Sequence, residues 1–220
     1  MTAERIKVLR AAERPATAWL NGGGVTREVA GFPVGAGPAD FDWRVSLADV
    51  DSAGPFSAFP GIDRVITLVE GAGMALTVDG AEHVIDAPYR PFAFAGDAAT
   101  DCRLLGGPVV DFNVMTRRGR TTADIALADA PRTVDVAPGT AVLLVCLSGT
   151  ATVTTATVTT EAVATEAVTT KAGDATALTR FDAALLHGPG THGLRPEGVT
   201  AVLAFRTAAP NDEPSAQPDA

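Results

Sequence analysis

Apolar and polar residues alternate along Phe41-Asp-Trp-Arg-Val-Ser-Leu-Ala48, with Phe41, Trp43, Val45 and Leu47 on one side and Asp42, Arg44 and Ser46 on the other. That two-residue period belongs to a β-strand with one buried face. Short apolar or β-branched runs follow at 64–69, 74–78, 83–85, 92–94, 102–105 and 109–115, then at 132–136, 141–147, 184–186 and 200–205. Gly and Pro punctuate nearly every gap, and no amphipathic helix longer than a turn stands out, so the pattern predicts an all-β antiparallel sandwich or barrel.

The chain also reads as two related halves. Residues 142–147 followed by Ser148-Gly149 parallel 66–69 followed by Glu70-Gly71, and Lys171-Ala-Gly-Asp174 before Ala177-Leu178 parallels the approach to Phe92 and Phe94. Between them lies a five-residue repeat, Ala151-Thr-Val-Thr-Thr155, renewed three times up to Thr170. An odd period sends successive valines to opposite faces of an extended strand, so the repeat predicts an enlarged hairpin tip or loop rather than a site. The expected organisation is a first unit over 1–118, a second over 119–207 carrying this insertion, and a disordered tail over 208–220 with Pro210, Pro214 and Pro218 among small and acidic residues.

Composition narrows the function classes. Of 220 residues, 46% are hydrophobic and 20% charged, which is globular usage. The longest uncharged apolar run, 141–147, falls far short of the roughly 20 residues that span a bilayer. The first ten residues mix charges of both signs without an apolar signal region, so a cytoplasmic protein is expected. A formal net charge of −9 opposes binding to nucleic acid or anionic membrane, which relies on cationic residues. Cys102 and Cys146, alone in so long a chain, read as buried free thiols.

Several segments are candidates for chemistry. In Asn21-Gly-Gly-Gly-Val-Thr26, three glycines permit positive φ and close backbone approach, either as a plain turn or as a turn presenting Asn21 and Thr26 to a pocket. It lacks the Gly-Lys-Ser/Thr ending of a phosphate-binding loop. Arg64 shares a strand face with Ile66 and Leu68, and an inward guanidinium needs either an internal acid (Asp63, Asp111 or Glu28) or a ligand carboxylate. Arg44 and Ser46 share one face opposite Trp43, and Asp111, Asn113 and Met115 share another, each face being either solvated or pocket-lining. The histidines, His83, His187 and His192, form no His-x-His or His-x-x-x-His pair, so no metal is expected. No Gly-x-Ser-x-Gly elbow occurs, whereas Asp97, Asp111 and Glu28 stay open as acid–base groups because carboxylates converge in space without leaving a sequence pattern.

Trp19-Leu-Asn-Gly-Gly-Gly-Val-Thr26, Phe41-Asp-Trp-Arg-Val-Ser46, Gly54-Pro-Phe-Ser-Ala-Phe-Pro-Gly-Ile-Asp-Arg64, Phe94-Ala-Gly-Asp97 and Asp111-Phe-Asn-Val-Met115 together resemble the HutD/Ves family in order and spacing. The resemblance is strong over about 19–119; beyond that only the general β pattern is shared, and the Ala/Thr/Val repeat departs from it. It implies a bicupin, two jelly-roll-like antiparallel β-barrels in one chain, often paired into homodimers. It implies a regulator or sensor of histidine utilisation that binds a small carboxylate such as formylglutamate, urocanate or formate. Cupins commonly hold a metal through a His-x-His motif, but the stretch that should supply it, near 74–83, contains only His83, so no cofactor is expected. Arg64 is then the carboxylate anchor, lined by Asn21, Arg44, Ser46, Phe59, Asp111 and Asn113, with Thr26 of the glycine turn a further candidate. Two other classes stay open: a cupin isomerase or hydrolase with Asp111 or Glu28 as base, and a sugar- or protein-binding module without a buried site.

Overall fold

The computed structural model describes residues 5–157 and 171–207; the tail and most of the five-residue repeat lie outside them. In chain order the strands of the first half are β1 (Ile6–Leu9), β2 (Thr17–Ala18), β3 (Gly24–Phe32), β4 (Trp43–Val50), β5 (Gly54–Pro55), β6 (Ile62–Glu70), β7 (Met74–Val78), β8 (Ala81–Ile85), β9 (Pro91–Ala95), β10 (Thr100–Leu104) and β11 (Val109–Arg117). Those of the second are β12 (Thr121–Ala128), β13 (Arg132–Val136), β14 (Thr140–Cys146), β15 (Thr150–Thr157), β16 (Lys171–Leu178), β17 (Ala183–Leu186), β18 (Gly190–Glu197) and β19 (Thr200–Thr207). Among the described residues no helix is long and apolar enough to cross a membrane.

The strands form four sheets: β2-β3-β4-β11-β6-β9 faces β5-β10-β7-β8, and β1-β17-β14-β19-β12 faces β13-β18-β15-β16. Adding eight to each number turns the order β4-β11-β6-β9 into β12-β19-β14-β17, and β5-β10-β7-β8 into β13-β18-β15-β16. The chain therefore traces one eight-strand path twice. This bears out the parallel between 66–69 and 142–147, which lie on the equivalent strands β6 and β14. It corrects the second parallel, because β16 takes the place of β8 rather than that of Phe92 and Phe94 on β9. The expected closed barrels are not formed by the described residues. Each half encloses its core between two facing open sheets instead of one continuous ladder, the manner of a jelly-roll sandwich.

The strand β1 belongs to the second half's sheet, pairing with β17 from Ile6↔Leu186 to Leu9↔Ala183, so residues 1–118 lend their first strand to the other unit. Asp182 fastens the chain that follows: its carboxylate accepts from Ala11 N–H (2.8 Å), Thr179 N–H (3.0 Å) and the Thr179 hydroxyl (2.9 Å), and pairs with Arg10 (2.8 Å). The repeat's first unit is not a loop. Ala151 and Val153 are buried in β15, and the ladder to β16 shifts register between Thr154 and Ala156, where an odd step is absorbed by a bulge. The undescribed residues 158–170 follow at the hairpin position where the first half has only Asp79-Gly80, both at positive φ as a tight hairpin turn requires.

The two halves meet through apolar faces. Trp43, Val45 and Leu47 of β4 with Phe112 and Val114 of β11 pack against Leu143 and Val145 of β14 and Ala201, Leu203 and Phe205 of β19. The Trp43 and Phe205 rings stack at 4.1 Å with 7° between planes. On the reverse faces, Val142, Leu144 and Cys146 enter the second core, and Ala48, Val50, Ile66 and Leu68 enter the first. Burial on both faces explains why 141–147 is continuously apolar rather than alternating.

Trp43→Ala is expected to cost about 3 to 5 kcal/mol of stability in urea unfolding, since it empties the centre of this interface. Burial raises the Asp182 carboxyl pKa, but its hydrogen bonds outweigh that and bring it down to about 2 from the ordinary 3.8. A carboxyl with a depressed folded pKa contributes stability above its unfolded pKa and loses it as pH falls through the folded one. Thermal unfolding between about pH 4 and pH 2 is therefore expected to be less pH-dependent in Asp182→Asn than in the wild type.

Candidate functional site

The sheet register arranges the polar side chains of the first half in rows. Gly31, Arg44, Met115, Arg64 and Phe94 lie side by side across β3, β4, β11, β6 and β9. The next inward row is Glu28, Ser46, Asn113, Ile66 and Phe92, and the one after is Thr26, Ala48, Asp111 and Leu68. Because Trp43, Val45, Phe112 and Val114 are claimed by the other half, their alternating neighbours Arg44, Ser46, Asp111, Asn113 and Met115 must face the first half's interior.

There they border a cavity of about 920 Å³, within the range of small-molecule sites. Asn21, Thr26, Arg44, Ser46, Phe59, Arg64, Asp111 and Asn113 all lie on its wall, as do Trp19, Phe56 and Arg117, which the sequence did not single out as lining. The aromatic loop over 54–60 offered the signal for Phe56, but nothing local showed which of its rings turn inward.

Arg64 is 5% exposed. None of the acids considered from sequence is its ion-pair partner: Asp63 pairs with Arg118 (2.7 Å) and Glu28 with Arg44 (2.7 Å). Asp111 is reached only through an amide. Arg64 Nη2 donates to Asn113 Oδ1 (2.9 Å), and Asn113 Nδ2 donates to Asp111 Oδ1. Three aromatic rings surround the guanidinium, Phe94 at 4.9 Å, Phe59 at 5.4 Å and Phe56 at 5.6 Å from its carbon. Such faces favour a cation but accept no directional hydrogen bond. Arg64 Nε and Asp111 Oδ2 are buried with no hydrogen-bond partner among the described residues.

Burial dominates the titration of both charges. It pulls the Arg64 guanidinium down to about 10, with Asp111 opposing, so the side chain stays cationic at neutral pH. It pushes the Asp111 carboxyl up to about 7, with Arg64 opposing and Asp49 assisting.

The glycine segment is a built turn. Gly22 has φ +72° and its N–H donates to Trp19 O (3.0 Å), while Asn21 Oδ1 accepts from Gly23 N–H (3.0 Å). A Cβ on Gly24 would fall 2.2 Å from Asp49 O, so the close approach is real. Thr26 Oγ1 accepts from Trp19 Nε1 (2.7 Å), which fixes the indole at the cavity wall. Asp97 and Glu28 are not on that wall. Asp97 accepts from Gly61 N–H (2.9 Å) and pairs with Arg118, interactions that hold its carboxyl below the usual range. Of the three carboxylates considered for acid–base work, only Asp111 reaches the cavity.

His83 packs at 4.8 Å from the Phe92 ring, and His192 is 1% exposed within the second half. Among the described residues no group of three or more His, Cys, Asp or Glu is placed to hold a metal ion. Burial raises the thiols, Cys102 to about 12 and Cys146 to about 11, so neither is a nucleophile at neutral pH.

Removing the bridging amide leaves a buried cation and a buried acid without their shared partner. Asn113→Ala is expected to lose about 2 to 4 kcal/mol in urea unfolding. Unchanged stability would mean that Arg64 and Asp111 pair directly without it.

The chain is similar to several known proteins. An uncharacterized 21.2 kDa protein from the hutC 3' region of Pseudomonas putida is 42% identical over 111 residues, 50% of this chain and 58% of that protein. Protein Ves of Citrobacter koseri is 44% identical over 119 residues, 52% of this chain and 60% of that protein. The match thus spans less than two thirds of the length of these two relatives. A structure of HutD from Pseudomonas fluorescens SBW25 in a formate condition aligns with a TM-score of 0.74 and 30% identity, covering 93% of this chain and all of that one. A cupin 2 conserved barrel protein from Leptotrichia buccalis, 12% identical over 84% of this chain and 89% of its own, aligns with a TM-score of 0.52 and shows a cupin-like fold. The sequence model of HutD matches residues 11–203, so the chain belongs to the HutD family.

Proposed function

We propose that this protein is a histidine-utilisation-associated receptor whose first cupin-like unit binds a small carboxylate of the formylglutamate, urocanate or formate type, with Arg64 as its anchor. The observation that carries the reading is Arg64 itself: a nearly buried cation among the residues that line the cavity, whose Nε–H has no acceptor among the described residues. A carboxylate is the planar two-oxygen acceptor that a guanidinium edge fits, and the three aromatic rings leave the charge poorly neutralised until an anion arrives. The formate condition of the HutD structure from Pseudomonas fluorescens SBW25 names one ligand to try. In this reading the two halves are the two units of a bicupin, and ligand occupancy of the first tunes histidine breakdown.

One observation favours a second reading. Asp111 carries a carboxyl pushed up to about 7 beside the anchor, as suits a general base. Turnover of a bound carboxylate, lost in Asp111→Asn, would identify an enzyme.

Calorimetry with formate, urocanate and formylglutamate tests the anchor. Arg64→Ala is expected to weaken binding by at least about tenfold, the effect of losing a hydrogen bond to a charged group, and Arg64→Lys by less. Equal affinity of Arg64→Ala and the wild type would overturn the assignment.

A further inference from the structure

Asp111 is 1% exposed, and its two oxygens differ. The Oδ1 atom accepts from the Asn113 amide, whose carbonyl oxygen is engaged by Arg64; turning the amide over would set its NH2 against the guanidinium, donor against donor. Asn113 is thereby held in one orientation, and a proton on Asp111 has only Oδ2 to occupy. That atom, like Arg64 Nε, is buried without a partner among the described residues, and both residues line the cavity.

The groups around Asp111 leave it as the one that titrates near neutrality. On β6 there is Arg64, cationic throughout; on β4 there are Arg44, paired with Glu28, and Asp49, paired with Arg27 of β3. The neighbouring strand β10 contributes the Cys102 thiol, which burial keeps protonated, with Asp101 beside it, and β7 (Met74–Val78) contains no titratable residue. An anion brought to Arg64 adds a second negative charge beside a carboxylate already removed from water, and two such charges do not both persist there.

Building on the carboxylate-receptor reading, we propose that Asp111 is a ligand-binding residue in its protonated form: anion binding at Arg64 takes up one proton from solvent onto Asp111 Oδ2, which then donates to the bound carboxylate. The balance is simple: the anion and one proton enter together, no covalent bond in the ligand breaks, and the cavity's net charge is unchanged. The site therefore selects carboxylates that tolerate an acid neighbour, and its occupancy falls as pH rises. The carboxyl's position near neutrality places that dependence in the physiological range.

The test is calorimetry of the full chain with sodium formate, and separately with formylglutamate, from about pH 6 to about pH 8.5 in sulfonate and amine buffers of different ionisation enthalpy. The wild type is expected to take up about one proton per anion at the alkaline end, with affinity falling by about tenfold per pH unit there. Asp111→Asn replaces the acid by an amide that cannot titrate. It is expected to bind severalfold more weakly at about pH 6 and to lose both the pH dependence and the proton uptake. Wild-type binding with a flat pH profile and no proton uptake overturns the proposal while leaving the receptor reading intact, as does pH dependence persisting in Asp111→Asn. Absence of binding by the wild type at every pH overturns both. If the variant does not fold, proton counting on the wild type decides, supported by carbon NMR of the Asp111 carboxyl, whose midpoint is expected to rise on saturation with formate.

Discussion

The hydrogen-bonded chain from Arg64 through Asn113 to Asp111 is the constraint around which the first half is organised. A guanidinium and a carboxyl, both nearly removed from water, are kept from direct pairing by an amide that serves one as acceptor and the other as donor. The desolvation cost of each is relieved only in part, since one atom of each charged group lacks a partner. A fold that maximised stability alone would place hydrocarbon or a compact ion pair here. Retaining two unmet hydrogen-bonding groups on residues that line a cavity is understandable if a third party completes them.

The apolar interface between the halves makes that arrangement sustainable. Strands β4 and β11 give one face to the other unit, where Trp43 stacks on Phe205 and Phe112 is sealed among leucines and valines. The opposite face is then free to carry Arg44, Ser46, Asp111 and Asn113 without forfeiting the strands' hold on the core. The second unit traces the same strand path, and its equivalent strands β12 and β19 turn Ala128, Val202 and Ala204 toward its core, beside Val142, Leu144 and Cys146 of β14. These strands are thus apolar toward the second core, whereas their counterparts in the first half present polar and charged side chains.

Much of this was legible beforehand. The alternation in 41–48 and 109–115 assigned Arg44, Ser46, Asp111 and Asn113 to faces opposite Trp43 and Phe112, and those faces are the ones observed. The glycine turn pointed to Asn21 and Thr26 and the face shared with Ile66 and Leu68 to Arg64, and the resemblance to the HutD family added Phe59; all four lie on the same wall. Strands with interrupted patterns were missed: β18, Gly190–Glu197, contains two glycines and a proline, and β12, Thr121–Ala128, carries small residues that bury little area. The first strand was missed because its partner, β17, lies about 180 residues away, and a pairing of that range leaves no local trace.

By itself the sequence determined that the chain is all β, that it runs twice through a related pattern, and that one guanidinium points inward, because a period of two fixes sidedness wherever apolar residues mark one face. It left open what the guanidinium meets. Asp63 and Glu28 were as near along the chain as any acid, yet both are occupied by other arginines, while Asn113, across a strand boundary, became the partner. Only the lateral register of β4, β11 and β6 decided that, since which side chains become neighbours across a sheet depends on how distant strands align, and alternation within a strand carries no information about it.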